Sequence, residues 1–490
     1  MLNAVIYLPL LAGLLVLLAP ASRPAVARWI ALAAAVATLV LSLVLWVGFN
    51  PSGADLQWRT TAEWIPSVGA TYDIAINGVS LSLIVLTALL LTIVMIYVLP
   101  QHDRAKSHAF LFLLLATGLM GVFCARDLLL FYLFFEVGLV PMYFIIGMWG
   151  GERRRYAAFK FFLYTRAGSL AMLLGFLGLY LSVKPHTFSL PALIESHPLA
   201  HRPDVAALVF FGLLLGFGVK LPTVPLHNWL PDAHVEAPTE GSVILAGLQL
   251  KMGAYGLVAV LLPVLPETVR RFGWLLVALA LVSQLYGALA ALAQRDMKRL
   301  IAYTSINHMG YVTLAIAVAA MSTSNGVPAL ALNGAVVQML SHGLLTGALF
   351  LMVGMLQHRA ATRDLDRFGG LLGRLPLFSG LFAVLAFGSF GLPGLSGFIA
   401  EFQVIGATLD LAAWAAAIVV VSVILMTAVY LRLAGVLMGS APEAMPQLAP
   451  LTVRELATAG TLICISVVIG VAPGILMTTL SGTSHFIARF

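Results

Sequence analysis

Six ionisable side chains sit where an apolar chain has no ordinary use for them: Glu136, Lys220, Lys251, His308, His342 and Glu401. Each lies inside a hydrophobic run, where a charged group costs about 2.5–3.5 kcal/mol on insertion scales and by default marks an ion or proton pathway. Their types suit protons. The proton affinity of a desolvated lysine depends on whether a carboxylate stands beside it, so moving the carboxylate decides whether the lysine holds its proton. Histidine titrates near neutral pH and can pass a proton through either ring nitrogen. Counted at 1.5 Å per residue, Glu136, Lys251 and His308 lie about 17–20 Å in from one end of their helices, and Lys220 and His342 about 20–22 Å in from the other. In a hydrocarbon core about 30 Å thick all five fall near the middle, with Glu401 somewhat off-centre. A shared depth predicts a hydrated polar belt parallel to the membrane plane. Plainer uses compete with this one. Glu136 and Lys220 could form a static ion pair, Lys251 could snorkel, either histidine could be a hydrogen-bonded core residue, and Glu401 could cap a half-helix.

The elements that must position these residues are membrane helices. Of 490 residues, 61% are hydrophobic and only 10% charged, against about 25% charged in soluble domains. Mean hydropathy is +1.01. On a template of about 20 apolar residues per crossing, about fourteen spans emerge. They lie near 2–20, 28–48, 78–99, 109–125, 127–149, 157–183, 205–230, 239–264, 268–292, 297–320, 329–357, 376–408, 411–438 and 454–478. The predicted fold is all-α, a polytopic membrane bundle.

Two spans look broken, at Gly216–Pro225 and at Gly388–Gly397. Proline removes a backbone donor and clashes with the preceding turn, and glycine lets the chain unwind. The breaks are five spans apart, so the two helices cross in opposite directions. That predicts an inverted repeat of five helices, 109–264 and 268–438, preceded by three helices in 1–100 and followed by one at 454–478. Paired broken helices point to a transport site.

The formal net charge of +7 falls in short loops rather than on one solvated face, which argues for membrane orientation and against nucleic acid. One set of loops holds Arg23, Arg28, Arg104, Lys106, Arg153, Arg154, Arg155, Arg295, Lys298, Arg299, Arg359, Arg363, Arg367, Arg374 and Arg454. The opposite set holds Arg59, Arg126, Lys184, Arg202, Arg270, Arg271 and Arg489. The first set is roughly twice the second and is assigned to the cytoplasm, which puts both termini on the outer, periplasmic side of a bacterial inner membrane. Met1–Ala21 has the apolar stretch of a signal peptide, and Ala19-Pro20-Ala21 resembles a cleavage site. No basic residue precedes it, so it reads as a retained first span.

No cofactor site is legible. Cys124 and Cys464 lie far apart in apolar runs, without CxxC spacing. No GxGxxG follows a strand and no GxxxxGK[ST] occurs. Asp232, His234, Glu236 and Glu240 have the types of a metal site, but Pro238-Thr239-Glu240 at a helix start favours capping and water contact.

The motifs around these residues resemble the antiporter-like membrane family, whose members include the pumping subunits of respiratory complex I and of Mrp-type cation/proton antiporters. The resemblance rests on Val219-Lys220-Leu221-Pro222, Leu226-His227-Asn228-Trp229-Leu230-Pro231-Asp232-Ala233-His234, Ala237-Pro238-Thr239 and Leu250-Lys251-Met252. It extends through Leu300-Ile301-Ala302-Tyr303-Thr304-Ser305, His308-Met309-Gly310 and Ser341-His342-Gly343. Ile76-Asn77-Gly78-Val79-Ser80-Leu81, Phe134-Phe135-Glu136, Pro141-Met142-Tyr143, Lys160-Phe161-Phe162-Leu163-Tyr164-Thr165 and Glu401 are most similar to the M-type branch of NADH-quinone oxidoreductase. The long lateral helix of the larger L-type branch is missing from the sequence.

The resemblance covers nearly the whole chain. It implies that Glu136 and Lys220 pair, that Lys251 is the central relay, and that His308 and His342 bridge to Glu401. It implies further that the chain is a non-redox subunit without a cofactor, and that its partners are the other membrane-arm subunits, antiporter-like paralogues included. Arg166 departs from the pattern, because an apolar or neutral residue is expected there, and it can lean toward Glu136. Two other readings remain: an Mrp-type Na⁺/H⁺ antiporter subunit without redox coupling, and a passive scaffold of the membrane arm.

Overall fold

Residues 1–20, 22–52, 56–101, 103–440 and 448–488 are described by the structure, a computed structural model. Ala21 of the apparent cleavage site and Arg489 of the outer charge set lie outside them. The chain opens with α1 (Leu2–Leu18) and α2 (Pro24–Val47), then a hairpin of β1 (Gln57–Ile65) and β2 (Ala70–Ile76). The first half of the bundle continues as α3 (Gly78–Tyr97), α4 (Ala105–Cys124), α5 (Leu128–Trp149), α6 (Arg154–Leu181), α7 (Pro203–Lys220), α8 (Trp229–Glu236) and α9 (Thr239–Val264). The second half is α10 (Gly273–Leu292), α11 (Met297–Met321), α12 (Val327–Ala360), α13 (Pro376–Ser389), α14 (Ser396–Leu411) and α15 (Ala413–Leu437). Last come α16 (Val453–Val471) and α17 (Gly474–Ile487).

Among the described residues twelve helices are long and apolar enough to cross a membrane, while α1 and α13 are shorter apolar helices. In hydrocarbon every backbone group must be satisfied internally, so the sequence has to cap its helices. Asn77 accepts from the Ser80 N–H at 2.9 Å to start α3. Asp127 accepts from Leu129 and Leu130 to start α5, and Asp296 from Arg299 to start α11. Thr452 and Glu455 form a reciprocal capping box at α16. Proline opens α2, α7, α12 and α13, where its missing N–H costs nothing.

Burial sorts the helices. α9 and α12 are buried throughout and α11 nearly so, whereas α2, α6, α15 and α16 turn most of their surface outward. The three inner helices carry Lys251, His308 and His342. α6 and α7 approach very closely: a Cβ on Gly216 would lie 2.4 Å from Met172 Cβ. Small residues permit such backbone contact where no hydrophobic force drives helices together.

Both predicted breaks are present. α7 ends at Lys220, and a turn through Pro222 and Pro225 leads into α8. α13 ends at Ser389, and Gly391 (φ +83°) and Gly394 (φ +93°) carry the chain to α14. Three expectations need correction. The all-α reading leaves out the hairpin between α2 and α3, which pairs antiparallel, with Thr61 opposite Asp73 and Arg59 holding both Asp73 oxygens. Its two strands are short, and only β1 is largely exposed while β2 is buried or half-buried, so the hairpin carries little signal beside the spans. The span placed at 454–478 stops at Val471, because Pro473 cannot continue the helix, and α17 then packs against α3 and α12. Arg28, Arg126 and Lys298, counted as loop charges, are buried. Arg28 bonds His108 and the Gln101 carbonyl, Arg126 the Ala75 carbonyl and Ser80, and Lys298 the Ala237 carbonyl.

Candidate proton-transfer site

Four of the six candidates form one connected group inside the bundle. α9 winds as a π-helix at Leu245–Gln249 and again at Leu257–Leu261, on either side of the α-helical turns that carry Lys251. π-bulges are rare and recur at functional sites. The Lys251 ammonium donates to the Ala246 carbonyl at 2.5 Å and lies 2.6 Å from His342 Nδ1. The His342 ring meets the His308 ring at 5.7 Å between centroids. His308 Nδ1 lies 4.0 Å from Glu401 Oε1 and 3.1 Å from Gln338 Nε2. Its Nε2 lies 3.3 Å from the Tyr430 hydroxyl, which donates to Thr304 at 3.0 Å. All four principal side chains are at most 6% exposed. His308, His342 and Glu401 border a cavity of about 10 Å³, room for about one water.

Glu401 owes its position to the second break. It stands on the second turn of α14, and its Oε2 would lie 2.4 Å from a Cβ added at Gly391. Ser396, at the start of α14, bonds Ser341 at 2.8 Å and Ser466 at 2.7 Å, pinning that turn to α12 and α16. The break thus delivers a carboxylate to the histidine pair.

Glu136 and Lys220 are arranged differently. No hydrogen bond or salt bridge joins them among the described residues, contrary to the expected pair. Glu136 Oε2 instead meets Arg166 Nη1 of α6 at 2.6 Å, and Arg166 also reaches the Tyr132 hydroxyl at 3.3 Å. Lys220 Nζ is buried without a hydrogen-bond partner and lies over the rings of Phe161 (5.1 Å) and Phe135 (5.7 Å). Its electrostatic neighbour is Glu136. The physical reason is reach. Arg166 carries a long planar fork from the facing helix, whereas Lys220 is fixed on the last turn of α7, where the helix unwinds.

The Asp232, His234, Glu236 and Glu240 side chains do not converge. Asp232 bonds Lys160 and Arg299, Glu236 bonds the Arg153 backbone, and Glu240 bonds His108, itself held by Arg28. His234 stacks on Phe350, both of its ring nitrogens buried without partners. Outside the spans, burial pushes the Asp127 carboxyl above the usual carboxylate range, against the hydrogen bonds it accepts from Thr71, Leu129 and Leu130. Sequence reasoning missed Gln338 and Tyr430, and named Thr304 and Ser341 only within motifs, without a role. Each is a neutral polar residue inside a span, a signal far weaker than a charge.

The sequence model of the NADH:quinone oxidoreductase/Mrp antiporter transmembrane family matches residues 125–427, the stretch that holds all six candidates. The chain belongs to that family. Within the family it is 40% identical, over its whole length and 97% of the relative, to NADH-quinone oxidoreductase subunit M of Rhodobacter capsulatus. The subunit M of Rickettsia conorii is 41% identical over 81% of this chain and 80% of its own. A chain of respiratory complex I from Thermus thermophilus superimposes with TM-score 0.89 and 30% identity, covering 100% of this chain and 99% of that one. A chain of the Mrp complex from Dietzia has the same fold, with TM-score 0.84 at 22% identity over 99% and 96% of the two chains.

Proposed function

We propose that this chain is a proton-translocating membrane subunit of a NADH:quinone oxidoreductase. In this reading the redox chemistry and its cofactors belong to other subunits, which include antiporter-like paralogues, and the chain couples quinone reduction to proton transfer. The observation that carries the proposal is the buried contact series Lys251–His342–His308–Glu401. A protonatable group at every station, each near the next, is what stepwise proton transfer needs. Glu136 and Lys220 serve as its switch. When the carboxylate stands against the ammonium, Lys220 keeps its proton; when it moves away, the proton is released toward Lys251. Residues 109–264 and 268–438 act as the two halves of an inverted repeat, and both termini face the outer side.

Vesicles holding the assembled complex should acidify as NADH reduces quinone. Glu401→Gln should slow reduction and acidification together, by about 10²-fold, at the low end of what one proton-transfer group contributes. Acidification driven by a Na⁺ gradient, in preparations without redox subunits, would instead establish the Mrp-type exchange reading. The higher identity to the subunit M sequences than to the Mrp chain favours the redox-linked reading. Orientation has its own test. Single cysteines at Arg153–Arg155 and Arg363–Arg367 should resist an impermeant thiol reagent added outside intact cells, and strong labelling would reverse the assignment.

A further inference from the structure

We propose that Arg166 is a positioning residue that competes with Lys220 for Glu136, holding the carboxylate away from the lysine during part of the cycle. The proposal rests on the reading of Glu136 and Lys220 as a switch and supplies the element that reading lacks, a second place for the carboxylate to go. Three observations meet here. Glu136 spends one oxygen on Arg166 at 2.6 Å while its other oxygen, Oε1, is buried without a hydrogen-bond partner. Lys220 Nζ is likewise buried and unpartnered, held only over two phenylalanine rings. The two orphaned atoms carry opposite charge, and Glu136 is the electrostatic neighbour of Lys220. Leaving a buried polar atom without a partner is costly, so a second arrangement, with Glu136 turned toward Lys220, satisfies both at the expense of the Arg166 contact.

The surroundings permit the exchange. Arg166 is two-fifths exposed and Glu136 one-fifth, and their pair sits on the outer face of the bundle beside an apolar groove lined by Trp64, Leu129, Leu133 and Val140. The guanidinium stands at the edge of the bundle and is not packed on every side, so Arg166 can hold the carboxylate without locking it. When the pair breaks, the arginine keeps the Tyr132 hydroxyl and remains partly exposed. The structure is therefore the arrangement in which Lys220 has been released from Glu136. Two cations of different burial sharing one carboxylate make a bistable element, and a shift at the exposed face would be felt by a lysine inside the bundle.

The test compares assembled complexes carrying native chain, Arg166→Gln, Arg166→Lys, Glu136→Gln, Arg166→Gln with Glu136→Gln, and Lys220→Ala. Each is scored by quinone-linked turnover and vesicle acidification per assembled complex. Arg166→Gln should lower coupled turnover by about twofold to 150-fold, the range that coupling between contacting residues spans. Arg166→Lys, which keeps the charge, should restore most of it. In the Glu136→Gln background the Arg166→Gln change should have no further effect, because Arg166 acts only through that carboxylate. If Arg166→Gln fails to assemble, the double substitution decides: recovered assembly with the turnover of Glu136→Gln supports the competition, and continued loss overturns it. Native turnover in Arg166→Gln, or equal losses in both backgrounds, also overturns it. Lys220→Ala separates the two claims. If it pumps at the native rate, the switch reading itself fails. If it is crippled while Arg166→Gln is silent, only the role of Arg166 falls.

Discussion

The two polar regions of the bundle differ in how their charges are satisfied. Around Lys251 the groups touch: ammonium to imidazole at 2.6 Å, ring to ring, imidazole to carboxylate at 4.0 Å. They lie on α9, α11 and α12, the innermost helices, and on the turn after the second break. Around Lys220 the groups are apart. The lysine has no hydrogen-bond partner, and its carboxylate is held by an arginine from the outer surface. Contact favours conduction, since a proton needs only short hops between fixed groups. Separation favours control, since a side chain must move before charge can. Both regions sit beside broken helices, so the breaks themselves do not explain the contrast. What distinguishes them is depth in the bundle: the connected group is fully enclosed, while the gapped one reaches the outer face, where a neighbouring subunit could act on it.

The contrast breaks most directly at Lys251. Lys251→Ala removes the group at the head of the series, in contact with His342, and coupled turnover and acidification should fall about 10²-fold or more, as expected for loss of an obligatory proton-transfer group. Normal acidification in that variant would mean the connected series is structural. Glu136→Gln and Lys220→Ala come next. Stranding one charge of a buried pair costs about 3–5 kcal/mol, but here the partners already stand apart, so each single change should lower turnover by about tenfold, below the Lys251 effect. The double change should be no worse than the worse single one, because coupled groups are not additive. Additive losses in that cycle would show that the two residues act independently and would dissolve the switch. Tyr430→Phe is the smallest change. It removes one hydroxyl from His308 and from Thr304, worth about 0.5–1.5 kcal/mol, and should slow turnover only a few-fold. A loss as large as that of Lys251 would move Tyr430 from support of the histidine into the path itself.

The sequence by itself determined a good deal. Its hydrophobic runs located most of the long helices, because a bilayer demands apolar stretches of a given length and internal backbone bonding. Its Pro- and Gly-rich segments located both breaks, because those residues end helices by covalent geometry. The six candidates stood out because a charge in an apolar run is costly enough to be visible in one dimension. Tertiary structure alone decided who meets whom. Lys251 and His342 touch across 91 positions of sequence, and nothing local specifies that contact. The π-helical turns around Lys251 are set by packing of α9 in the bundle core and leave no compositional trace. Gln338 and Tyr430 are chosen by proximity to His308, and many other neutral polar residues in the spans would have looked the same. Glu136 could be read as an ion-pair partner from its type and depth, yet those properties fit two cations equally. The facing of α6 against α5 gave it to Arg166. Spacing along a helix fixes depth in the membrane, but only rotation and packing of one helix against another fix which of two groups at the same depth stands within reach.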